Sequence, residues 1–172
     1  TYALIANDLK FAADNLGPEN YSQPGNANYG RITKWAAEAY LARTFLFYTG
    51  AYNKPDLAGV ITKAEATTYI NDVVSNSGHG LVPDFANLWL AASLENFVGE
   101  DNTEMVWAVR FNGSGKGNWD LHEGNRFQVN IAPRGGAIGR YATGWGGATV
   151  NPKLVQAYES GDSRKAASFI DY

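Results

Sequence analysis

The sequence has no cysteine, one methionine and only two histidines among 172 residues. The missing cysteine excludes disulfides, thiolate nucleophiles and cysteine-based metal sites. His79 and His122 are too few and too far apart to form a plausible metal-binding set. Basic residues are also scarce, with 14 Lys and Arg against 17 Asp and Glu and a net charge of −3. No basic stripe is available to follow a phosphate backbone, which argues against nucleic acid as a partner. The same scarcity leaves no basis for attraction to an anionic membrane surface. No run approaches the ~18 apolar residues of a membrane-spanning helix. The opening Thr1-Tyr2-Ala3-Leu4 lacks the basic and apolar regions of a signal peptide, and we read the chain as cut from something longer.

Aromatic side chains, by contrast, are abundant: five Trp, ten Tyr and eight Phe. With 45% apolar and 18% charged residues, the chain has the composition of a globular domain. A chain of this length buries roughly 70% of its unfolded surface. Aromatics beyond what a core needs are well suited to lining binding surfaces.

Periodicity predicts helices in the first half. Tyr2, Ile5, Leu9, Ala12 or Ala13, and Leu16 mark one stripe, ended by Gly17-Pro18. A second helix begins near Thr33, with Trp35/Ala36, Ala39/Tyr40, the stem of Arg43 and Leu46/Phe47 as its inner stripe, and ends at Gly50. Thr62-Lys63-Ala64-Glu65 is a capping box that opens a third. Tyr69, Ile70, Val73 and Val74 are its expected inner face, and Gly78 closes it. The alternation of helix and loop is that of a tetratricopeptide-like array, without that family's strict repeat pattern. A short helix is expected over 84–90 and a strand over Met105–Phe111, which is nearly continuous in apolar β-formers.

Ten glycines fall within the 36 residues from Asn112 to Gly147, so regular structure should be sparse there. Asn151-Pro152 then starts a helix with Leu154, Val155 and Tyr158 facing inward, and Asp162 caps another beginning at Ser163. The chain is thus expected to be mainly α, with helix pairs over 1–111 ending in a short strand. A glycine-rich loop region plus helix should follow over 112–172, the two parts forming one incomplete domain.

Several segments, in order, resemble the SusD/RagB family. They begin with Tyr2-x-x-Ile5-x-x-Asp8-Leu9-x-x-Ala12, followed by Gly30-Arg31-x-Thr33-Lys34-x-Ala36-Ala37 running into Leu41-Ala42. Val73-Val74-x-Asn76-Ser77-Gly78 and Glu104-Met105-Val106-Trp107-Ala108-Val109 come next. The last is Asn151-Pro152-x-Leu154-Val155-x-Ala157-Tyr158 with Gly161-Asp162-x-Arg164. The resemblance implies a largely helical fold with tetratricopeptide-like helix pairs. It also implies a surface-exposed outer-membrane lipoprotein that binds oligosaccharide or polysaccharide for a SusC-like TonB-dependent transporter. The chain is far shorter than such proteins and lacks the lipid-anchor cysteine, so anchoring and transporter docking are expectations for the parent protein.

Sugar recognition combines flat aromatic faces with planar polar groups that match paired hydroxyls. The glycine-rich region offers both, in Asn118, Trp119, Asp120, His122, Asn125, Arg126, Tyr141 and Trp145. Trp119, between Asn118 and Asp120, is expected to face ligand or solvent. Trp145, within Gly144-Trp145-Gly146-Gly147, either plugs the loop against the helices or faces the ligand. Trp35 and Trp107 are expected in the core, and Trp89 leans the same way. Asp120 and Glu123 are poorly placed for glycoside hydrolysis, which needs two acids held at a set separation. Gly113-x-Gly115-x-Gly117 resembles a phosphate loop only superficially, lacking its Gly-Lys-Ser/Thr ending. No catalytic residue, metal or cofactor is expected. The rival reading is a helical protein-interaction scaffold. Arg31 and Lys34 are assigned to helix packing and surface, with Asp8 pairing one of them, and Arg164 to tying down a nearby loop.

Overall fold

The computed structural model describes residues 1–19, 27–89, 102–109, 126–138 and 143–169. They are mainly α-helical, and they include an isolated antiparallel bridge between Leu57 and Ile61. The chain divides into two compact units, Thr1–Leu81 with Asp101–Val109, and Val82–Glu100 with Arg110–Tyr172.

The first unit is built on three helices: α1 (Tyr2–Asn15), α2 (Lys34–Tyr52) and α3 (Lys63–Asn76). Each begins or ends where the sequence supplies a local reason. The Thr33 side chain accepts the Ala36 N–H at 3.2 Å and caps α2. Thr62 and Glu65 form the expected capping box, with the Thr62 N–H donating to Glu65 Oε2 at 2.8 Å and the Glu65 N–H to Thr62 Oγ1 at 3.3 Å. The Thr62 backbone N–H holds the Glu65 carboxyl below its ordinary range. Gly50 does not stop α2, which runs on to Tyr52 and ends on Asn53 in the left-handed region at φ 50°. Asparagine tolerates that conformation, and a helix end needs a residue that does.

Both α1 and α3 pack on α2. The core joins Ala6 of α1, Leu41 and Phe45 of α2 and Ala66 of α3 to Leu57 and Ile61 from the α2–α3 connection. That connection folds inward because Ala58 and Gly59 both adopt positive φ while Asp56 Oδ1 accepts the Gly59 N–H at 2.8 Å. Tyr2, Tyr48 and Tyr52 close one end, with ring centroids 4.8 to 5.7 Å apart.

The inner face of α2 is rotated from the expected stripe. Trp35, Ala36, Ala37, Glu38, Leu41, Ala42 and Phe45 are buried, whereas Tyr40, Leu46 and Phe47 are exposed. The helix is apolar on nearly every side, and its core face contains a glutamate, so periodicity favoured the wrong stripe. Val74 is likewise exposed rather than inner, since Ala66 and Val73 define the buried edge of α3.

The strand expected over Met105–Phe111 is not formed across its described part, 105–109, which is irregular. None of the described residues supplies a neighbouring strand there for a ladder. Trp107 is instead half-buried against α2, donating its indole N–H to the Gly30 carbonyl at 3.2 Å and meeting the Tyr40 ring edge-on. Trp35 is in the core as expected, with its indole N–H on the Pro18 carbonyl at 3.0 Å.

In the second unit, the 3-10 turn Phe85–Trp89 stands where a short helix was expected and packs against the helix that ends the unit. Three short helices follow: α4 (Arg126–Ile131), α5 (Pro152–Gln156) and α6 (Arg164–Ser168). Helix α4 lies inside the stretch expected to be irregular, on its longest glycine-free run. Asn151 caps α5 through the Lys153 N–H at 2.9 Å, and Asp162 Oδ1 accepts the Arg164 N–H at 3.0 Å. The Arg164 guanidinium also binds Asp162, two residues away, so its bond is local.

The core assignment is testable by chemical denaturation. Leu41→Ala should lower the unfolding free energy by about 3 kcal/mol, while Val74→Ala should change it by less than about 0.5 kcal/mol. Equal losses would mean that the buried faces of α2 and α3 are not those described.

Candidate functional site

The expected glycan-binding residues Asn118, Trp119, Asp120, His122, Asn125 and Tyr141 lie outside the described residues. Arg126 is the first residue of α4, described in its backbone. Trp145 is described together with the segment that holds it.

That segment, Gly144–Gly147, runs as a strap across the end of α4. Four successive backbone N–H groups donate to it: Gly144 to the Pro133 carbonyl at 2.7 Å, Trp145 to Val129 at 2.8 Å, Gly146 to Ala132 at 2.9 Å and Gly147 to Asn130 at 2.6 Å. The last carbonyls of a helix have no partner within it, and here the strap supplies them. Arg134 Nε adds a bond to the Trp145 carbonyl at 2.7 Å. Two of the glycines are sterically required. A Cβ on Gly144 would sit 2.4 Å from the Val129 carbonyl oxygen, and one on Gly147 would sit 2.9 Å from that of Asn130. The Trp145 backbone is thereby packed against α4, and the residue as a whole is 47% exposed.

A second constellation, in the three-helix unit, was not legible as a site. An open cleft of about 730 Å³ lies between α1 and α3, with Lys34 and Glu38 of α2 at its base. Lys34 Nζ is 2.6 Å from Asp72 and 3.5 Å from Glu38, and lies over the Trp35 ring. Lys10 bonds Asp14 at 2.7 Å and the Tyr69 hydroxyl at 3.0 Å, and that hydroxyl donates to Asp14 at 2.9 Å. Lys34 thus pairs with Asp72 and Glu38, not with Asp8 as expected. The i,i+4 spacing of Lys34 and Glu38 was the available signal.

The charge states follow from these contacts. The Lys34 ammonium holds Asp72 below the usual carboxylate range, and Asp72 raises Lys34. The Lys10 ammonium likewise lowers Asp14. Burial pushes Glu38 up to about 7, with Lys34 opposing the shift and Asp72 adding to it. Glu38 is 1% exposed, and its Oε2 has no hydrogen-bond partner among the described residues. Because Oε2 is sealed from the cleft and the other charges pair internally, the arrangement reads as a structural tie, not a ligand-binding centre.

Among the described residues there is no group of three His, Cys, Asp or Glu side chains able to hold a metal ion. His79 is engaged through Nδ1, 3.0 Å from the Thr103 carbonyl. No described helix is long and apolar enough to cross a membrane.

No protein-family model matches the chain, and no solved structure matches it. A SusD-like protein from Bacteroides ovatus is 26% identical over 177 aligned positions, which cover 98% of this chain and 28% of the relative. The similarity is distant, and the chain spans little more than a quarter of that relative's length.

Glu38 makes stability depend on pH. Its folded pKa of about 7 exceeds the ordinary 4.5, so the folded state holds a proton that the unfolded state has lost between those values. This contribution is complete below about pH 4.5 and vanishes as pH rises through 7. Asp14 and Asp72 act oppositely, losing their contribution only in stronger acid. Between pH 5 and 8 the wild-type protein should therefore lose about 2–3 kcal/mol that Glu38→Gln does not. Urea titrations of both proteins across that range provide the check, and parallel profiles would refute the assignment.

Proposed function

We propose that the parent protein is a non-catalytic, surface-exposed glycan-binding lipoprotein of the outer membrane. It captures oligosaccharide or polysaccharide and delivers it to a SusC-like TonB-dependent transporter. The observation that carries this reading is the distant likeness to a SusD-like protein along 98% of the chain. In this reading α1 to α3 belong to a tetratricopeptide-like superhelix, and the glycine-rich part presents the ligand-binding aromatics.

Residue chemistry supports the same direction. Trp119, Asn118, Asp120, His122, Arg126, Tyr141 and Trp145 combine flat rings with planar polar groups, the pairing that sugar rings require. Turnover would need two acids facing each other across open space. In the described cleft, Glu38 and Asp72 are instead joined through Lys34.

One observation favours a second reading, a helical scaffold for a protein partner. Leu46 and Phe47 of α2 and Phe11 of α1 are large apolar side chains left 58–70% exposed, surface that a protein partner could cover.

Affinity-gel electrophoresis and calorimetry against a polysaccharide panel separate the two readings. Glycan capture predicts retarded migration that Trp119→Ala weakens, with no hydrolysis products released. Binding by the full-length parent alone would place part of the site outside this chain. Failure of both proteins to bind any glycan would favour the scaffold.

A further inference from the structure

We infer that Glu38, Lys34 and Asp72 form a proton-operated release between α2 and α3, closed while Glu38 is neutral and loosened when Glu38 ionises. The device belongs to the three-helix unit and is independent of what the parent protein binds.

Two carboxyls share one ammonium here. Lys34 Nζ stands 2.6 Å from Asp72 and 3.5 Å from Glu38, so it favours the carboxylate on the other helix. Glu38 is enclosed at 1% exposed, and its Oε2 has no hydrogen-bond partner among the described residues. An ionised carboxyl in that position would lack water and a second donor, and would compete with Asp72 for Lys34. A neutral Glu38 removes both conflicts. The Lys34 and Asp72 side chains, 25% and 28% exposed, keep contact with water and with it their charges. In this state Lys34 closes α2 onto α3.

Loss of the Glu38 proton reverses the preference. Lys34 is then drawn towards Glu38, one turn away on its own helix, and an interhelix tie becomes one within α2. Glu38 and Asp72 are left repelling each other across the contact between the two helices. On α1, Asp14 borders the same cleft and adds negative charge, while Lys10 is committed to Asp14 and to the Tyr69 hydroxyl of α3. Helix α3 has 14 residues, of which Ala66 and Val73 are its buried apolar ones, so its seating leans on the Lys34 tie. Because Lys10, Asp14 and Tyr69 still tether α3 to α1, release is a hinge movement that opens the base of the cleft, not an unfolding.

The whole chain has no cysteine, so Arg43→Cys on α2 and Thr67→Cys on α3, both exposed, accept two specific spin labels. Pulsed distance measurements at pH 6 and pH 8 are paired with far-UV circular dichroism. The population at the longer distance should rise about tenfold between the two values, with helicity unchanged. Glu38→Gln, which stays neutral, should keep the pH 6 distribution at both. Asp72→Asn, which removes the partner on α3, should show the longer distance at both. Identical distributions at pH 6 and pH 8 would overturn the inference, as would an undiminished pH response in Glu38→Gln or an unaltered distribution in Asp72→Asn. Longer distances accompanied by lost helicity would mean that pH acts on folding alone, and would overturn it equally. Should Glu38→Gln fail to fold, the pH comparison and Asp72→Asn still decide the matter.

Discussion

The three-helix unit depends on how one carboxylate is accommodated. Glu38 sits on the face of α2 that also contributes Leu41 and Phe45 to the core, where an unpaired charge would be strongly unfavourable. Lys34, one turn earlier, reaches it and extends to Asp72 on α3. Apolar contacts among Ala6, Leu41, Phe45 and Ala66 bring helices together but are non-directional, and would permit sliding. The Lys34 bridge removes that freedom between α2 and α3. Lys10, Asp14 and Tyr69 do the same between α1 and α3. The Lys34–Asp72 and Lys10–Asp14 pairs are modest in energy, because their members are partly exposed. Their contribution is to select one arrangement among several that bury similar area.

Much of the helical layout was legible because it is governed by local chemistry. Thr33, Thr62 with Glu65, Asn151 and Asp162 each marked a helix start by a side chain that reaches a nearby backbone N–H. The choice of face on α2 was not legible, since Tyr40, Leu46 and Phe47 offer a stripe as apolar as the one used. Only the partners on α1 and α3 distinguish them, and partners are not a property of the helix itself. The inward fold of Leu57 and Ile61 was missed for a related reason. It depends on positive φ at Ala58, which composition gives no reason to expect. Met105–Val109 looked like a strand because β-formers predominate, but a strand needs a neighbour and none of the described residues supplies one there. For the expected glycan contacts, residue types alone drew attention to Trp145. The other expected glycan contacts of the glycine-rich part lie outside the described residues, apart from the backbone of Arg126.

The two units are held by different means. In the first, side chains supply the direction: capping hydroxyls, ion pairs and a tyrosine cluster. In the described part of the second, the most concentrated order is a run of main-chain donors meeting a helix end. Alanine substitution would readily report on the first kind of order and scarcely on the second. Removing a side chain leaves a main-chain bond intact, whereas adding a methyl to Gly144 does not.

The strap therefore separates how a residue is held from what that residue is. Its four bonds involve no side chain of position 145, so tyrosine, phenylalanine or histidine could occupy the same mount without disturbing it. A single codon could change the size and polarity of the presented ring while the fold stayed constant. A change at position 145 would then alter what the turn displays and leave the main-chain bonds that hold the turn in place.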